Sequence, residues 1–143
     1  MLLILHALFA SIWLGCVLTE VGFERVLARG TERDWLNMAR IHHRVDALIE
    51  IPAYVAVLIT GVLMWGTTAI NATAAHVMIG AGSIAIATNV VCSALVFRRL
   101  SFAQAERWED FHRADAWLHR LGAVVLIGLL MALIAGFSLR FSN

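Results

Sequence analysis

Of 143 residues, 61% are hydrophobic and only 15% charged, and the mean hydropathy is +0.81. A soluble domain carries roughly 45–50% apolar and about 25% charged residues, and here every one of the 11 basic residues is Arg, for a formal charge of +1. This balance excludes a disordered chain, a disulfide-stapled secreted domain and a nucleic-acid-binding module, and it defines a membrane protein.

The first apolar stretch, residues 2–18, continues helically through Glu20 and Glu24. It has no basic segment before it, as a signal peptide would, so it reads as a retained span. The second stretch covers 45–65 and contains the single Pro, Pro52, which predicts a kink and a freed carbonyl near Leu48. The third covers 72–97, and the fourth, 121–137, carries Gly128, Ala132 and Gly136 at four-residue spacing. Such a ridge permits close helix approach, either within the bundle or at a homodimer seam. Each stretch approaches or exceeds the roughly 20 residues that cross a hydrocarbon core. With their polar extensions the spans occupy about 2–28, 42–66, 71–97 and 112–138, and they use the chain as one domain, 1–143. Segments of alternating polarity, the mark of a membrane β-barrel, are missing from this pattern. The expected fold is all-α, an integral membrane four-helix bundle running up-down-up-down. Cys16 and Cys92 lie inside spans and read as small apolar fillers.

Charge sets the orientation. Arg25, Arg29, Arg33, Arg40 and Arg44 separate spans one and two, and Arg98, Arg99, Arg107, Arg113 and Arg120 separate spans three and four. The connection 66–71 has no charge. By the positive-inside rule the arginine-rich connections are cytoplasmic, and both termini lie on the periplasmic side of a bacterial inner membrane. Trp35, Trp108, Trp117 and Trp65 are placed to form aromatic belts.

The six histidines are the candidate functional residues. His6 lies near the outer end of span one and His76 near the outer end of span three, both roughly 7 Å below the boundary. Spans one and three are diagonal in the bundle, so these imidazoles are at a matched depth for axial ligation of a b-type haem. At the cytoplasmic end, His42 and His43 precede span two, and His112 and His119 precede span four. Adjacent helical residues diverge by about 100°, so only one of His42 and His43 faces inward. Asp46, Glu50 and Asp115 share stripes with these histidines, while Glu20 and Glu24 fall on roughly the His6 face of span one.

Three arrangements are open for this inner group. One is a second bis-His haem, with Arg44 and Arg120 toward the propionates, Asp46, Glu50 and Asp115 orienting the imidazoles, and Trp13 flanking the outer site. Another is a carboxylate–histidine metal site without haem. The last is a structural network of ion pairs to Arg44, Arg98, Arg113 and Arg120. Two haems roughly 24 Å apart would make a transmembrane electron wire exchanging electrons with quinone or another membrane carrier.

Leu5-His6 followed by Ile12-Trp13-Leu14-Gly15, the Pro52 span through Thr60-Gly61-Val62-Leu63-Met64, and Ala75-His76-Val77-Met78 resemble segments of the HemJ-type membrane protoporphyrinogen oxidases and the related CopD-like four-helix membrane proteins. Position 78 carries Met where HemJ-type proteins have Lys. The resemblance implies haem b held in the bundle, with His6 at the haem-ligating position. It also implies two alternative activities, porphyrinogen oxidation and, through the CopD-like relatives, copper or other metal handling.

Overall fold

The computed structural model describes residues 1–27, 29–65 and 73–141. It contains four long helices, α1 (Leu2–Leu27), α2 (Glu32–Met64), α3 (Thr73–Gln104) and α4 (Trp108–Phe141). All four are long and apolar enough to cross a membrane. Hydrocarbon offers no partner for backbone N–H and C=O groups, so a spanning segment must pair them internally, as a helix does. Exposed Leu48, Leu63, Ile84, Ile127, Ile134 and Phe137 present to lipid a surface that would be a liability in water.

The helices run further than the apolar stretches. The connections expected around 28–42 and 97–112 are largely helical, because 32–45 and the first turns of α4 are amphipathic helix in their own right. Met38, Ala39 and His42 recur at one- and three-residue intervals and are buried. At the start of α2 the Asp34 carboxylate accepts from the Thr31 backbone N–H at 2.7 Å and from its hydroxyl at 2.8 Å. This contact fixes where the helix begins.

A wide π-type turn, Asp46–Glu50, interrupts α2 just before Pro52. There the N–H of Ile51 reaches back five residues to the carbonyl of Asp46. The backbone thus accommodates the missing proline donor by widening one turn, a device that recurs at functional sites.

α1 packs along the second half of α2, the first half of α2 packs on α3, and α3 and α4 pack together most extensively. Trp13, Tyr54, Ala85, Val96, Leu118 and Val125 form the core between them. A second cluster, Met38, Ala39, Ala103 and Phe111, closes the arginine-rich end. Trp35 and Trp108 pack against each other and against Phe111 there, so these two indoles serve helix packing. Trp65 and Trp117 are exposed.

Glu106 has φ 55°, with Glu106 N–H bonded to Ala103 O and Arg107 N–H to Phe102 O. This is the hydrogen-bond pattern of a Schellman helix end, which usually places Gly at the left-handed position. It lets α4 begin at Trp108, four positions after α3 ends. The small-residue ridge of α4 is occupied within the chain. A Cβ on Gly128 would stand 3.0 Å from Ala85 Cβ and 3.1 Å from the Ala81 carbonyl oxygen, and one on Gly136 would stand 3.3 Å from Met78 Sδ.

Candidate functional site

At the arginine-rich end, four helices converge on a buried polar cluster. α1 contributes Glu20 and Glu24, one turn apart. α2 contributes His42, Asp46 and Glu50, and all five are buried. Three residues at four-residue spacing drift around a regular helix, but the wide turn at 46–50 keeps His42, Asp46 and Glu50 directed inward. α3 contributes Asn89, Ser93 and Arg99, in phase with buried Ala85, Cys92, Val96 and Ala103. α4 contributes Asp115 and His119.

His42 is the hub. Its Nδ1 lies 2.7 Å from Glu24 Oε1 and 2.6 Å from Arg99 Nη2. One ring nitrogen either donates to the carboxylate or accepts from the guanidinium, so these contacts are alternatives set by the tautomer. On the other edge, Nε2 lies 3.2 Å from Glu20 Oε2 and 3.3 Å from Asp46 Oδ1. Arg99 is fully buried. It donates from Nη1 to Glu24 Oε1 at 2.8 Å and to Asp115 Oδ1, with its guanidinium 5.8 Å from the centre of the Phe111 ring. Toward mid-membrane, Glu50 Oε1 accepts from Trp13 Nε1 at 3.2 Å and from Asn89 Nδ2 at 2.9 Å.

The cluster is unevenly satisfied. Five carboxyl groups, Glu20, Glu24, Asp46, Glu50 and Asp115, surround one guanidinium and one fully enclosed imidazole. Glu20 Oε1, Asp46 Oδ1, Ser93 Oγ and Arg99 Nε are buried without a hydrogen bond. Orphaned buried polar atoms are uncommon in native proteins and mark strain or an interaction with a ligand. A cavity of about 210 Å³ opens against Glu20, Glu24, His42, Asp46, Glu50 and His119, with Arg25 also on its wall.

The remaining histidines are dispersed. His43 sets its ring edge-on to Phe97, 4.6 Å between centroids, leaving His42 as the inward member of that pair. His112 packs on Trp35 at 4.8 Å on an exposed face. His119 is half-exposed; its Nδ1 donates to the Asp115 carbonyl at 2.8 Å and its Nε2 lies 3.7 Å from Glu24 Oε2. Arg44 is exposed, and Arg120 lies over the Trp117 ring.

At the opposite end, His6 is half-buried and its Nδ1 is 2.8 Å from Thr60 Oγ1. It lines a cavity of about 140 Å³ with Gly61, Ala75, Met78, Gly82 and Ser83. His76 is exposed and is not among the described residues lining that cavity. Height along α1 and α3 follows from counting residues, whereas the directions of His6 and His76 depend on how the helices are rotated. At the inner end the Glu24 carboxylate reaches both rings, with Oε1 2.7 Å from His42 Nδ1 and Oε2 3.7 Å from His119 Nε2.

Arg99 and Asn89 were not among the candidates expected from the sequence. The signal that finds them is their phase with the small buried residues of α3. Comparison with family models, with curated proteins and with solved structures finds no match for this chain.

Proposed function

We propose that the chain is a multi-pass membrane protein that handles a cation at the buried cluster near its arginine-rich end. The observation that carries this reading is the excess of carboxyl groups over cationic partners inside membrane-spanning helices. Ionisable groups in a membrane interior are costly and mark ion, proton or substrate sites. A mobile cation supplies the counter-charge that the protein lacks.

In this reading the helices run up-down-up-down, the arginine-rich connections face the cytoplasm of a bacterial inner membrane, and the cluster sits at that face. The arginine asymmetry supports it. The test is thermal unfolding of the purified full-length protein in detergent across a panel of monovalent and divalent cations. A saturable rise in Tm with one class of cation, lost in Glu20→Gln, supports the reading. Indifference to every cation refutes it.

A second reading is a haem b electron carrier exchanging electrons with quinone. One observation favours it: His6 borders a cavity walled by Gly61, Gly82 and Ser83. It needs a second axial ligand turned into that cavity. A pyridine haemochrome assay with protein quantitation decides it, because haem per chain is zero in the first reading.

A further inference from the structure

We propose that Glu20, His42 and Asp46 form a binding site for a divalent transition-metal ion of the zinc, cobalt or ferrous type, with Glu24 orienting His42 from behind. This inference rests on the cation-handling reading and narrows it to a metal class and a ligand set.

Among the described residues, these three are the group whose ligand atoms all lie within 4.8 Å of one another, and each is buried. The His42 Nε2 edges to Glu20 Oε2 and Asp46 Oδ1 are 3.2 and 3.3 Å. Ligands about 2.05 Å from a tetrahedral metal are separated by about 3.3 Å, which these two edges match. One orphaned atom, Glu20 Oε1, belongs to this group, and Asp46 Oδ1 has only its 3.3 Å contact with His42 Nε2. These side chains are 10% and 2% exposed.

The other ring nitrogen of His42 completes the argument. Metal-ligating histidines almost always donate their second N–H to a carboxylate or carbonyl, which fixes the tautomer and the ring plane. Glu24 Oε1 lies 2.7 Å from Nδ1, in that position. Arg99 Nη1 donates to the same oxygen and to Asp115, holding the Glu24 carboxylate in place, and the 2.6 Å approach of Arg99 Nη2 to Nδ1 is the contact that this tautomer gives up. The cavity of about 210 Å³ in front of the group leaves room for a water or an exchanging ligand in the fourth position.

Chemistry selects the ion. Two carboxylates and an imidazole suit borderline divalent ions, whereas cuprous copper seeks thiolate and thioether sulfur and magnesium an all-oxygen octahedron. Cys92 borders the same cavity but lies outside the three-ligand group.

The experiment uses the full-length protein in detergent, stripped with chelator. Co²⁺ is titrated by visible absorption and Zn²⁺ by equilibrium dialysis. The expected result is one ion per chain, with the intense visible bands of four- or five-coordinate cobalt. His42→Ala and the isosteric Asp46→Asn lose this binding, His112→Ala keeps it, and Glu24→Gln keeps the stoichiometry while weakening affinity about 10–100-fold. Monodispersity and helical circular dichroism of Asp46→Asn guard against a folding artefact.

Stabilisation by alkali or alkaline-earth ions alone, with no cobalt spectrum, overturns this inference and leaves the broader reading standing. Cobalt binding indifferent to Asp46→Asn and His42→Ala also overturns it, as does preferential Cu⁺ binding abolished by Cys92→Ser. No response to any cation overturns both.

Discussion

The indole N–H of Trp13 donates to Oε1 of Glu50 at 3.2 Å, tying α1 to α2 at the last residue of the wide turn. Trp13 is 1% exposed, and its ring also packs 5.8 Å from that of Tyr54. Trp13→Phe keeps most of the packing and removes the donor, leaving Asn89 as the remaining hydrogen-bond donor to that oxygen. The expected cost is about 1–3 kcal/mol. It is measured by equilibrium unfolding in mixed micelles, and an unchanged stability would show that the bond is not formed in the bilayer-like state.

Arg99 is the fixed cation of the cluster. Arg99→Met leaves Glu24 and Asp115 without their shared donor, and the expected loss is about 3–5 kcal/mol, as for other buried pairs broken from one side. Combining Arg99→Met with Glu24→Gln removes one orphaned charge and recovers part of that loss. A double-mutant cycle reads this coupling; additive effects would mean that the two side chains do not interact.

Glu106 pays a steric cost for its left-handed backbone at the end of α3. Glu106→Gly relieves it and raises stability by about 1 kcal/mol. A branched residue such as Val at this position lowers stability. Thermal unfolding of both variants gives the two signs.

Gly128→Ala drives a methyl against Ala85 Cβ and the Ala81 carbonyl oxygen, at 3.0 and 3.1 Å. One neighbour is backbone, so α3 and α4 must separate slightly, at a cost of about 1–3 kcal/mol. Because the ridge is used inside the chain, the mass of the protein–detergent complex by light scattering is expected to stay the same. A shift in oligomeric state would reassign the ridge to an interface between copies.

The four spans were legible because lipid imposes one crude requirement, a long apolar run, that composition displays directly. The inner cluster was half legible. His42, Asp46, Glu50 and Asp115 were marked by their types, and Glu20 and Glu24 by their position at the end of span one. The choice between His42 and His43 needed the rotation of α2, which the wide turn at 46–50 modifies. His6 and His76 illustrate the general limit. A residue's height in the membrane follows from counting at 1.5 Å per step, but its direction around the helix changes by 100° per residue and is set by packing partners far away in sequence. Arg99 is masked by its neighbour Arg98, because an arginine beside a connection contributes to topology whether or not it is buried. Only the burial of its whole stripe on α3 separates the two.

Glu24 on α1 has its guanidinium partner 75 positions downstream on α3, and the other acid on that guanidinium is on α4. Until α3 is packed in place, Glu24 has the His42 imidazole beside it but lacks the guanidinium that faces it in the complete bundle. The late hairpin of α3 and α4 has to dock before the early pair is electrically complete.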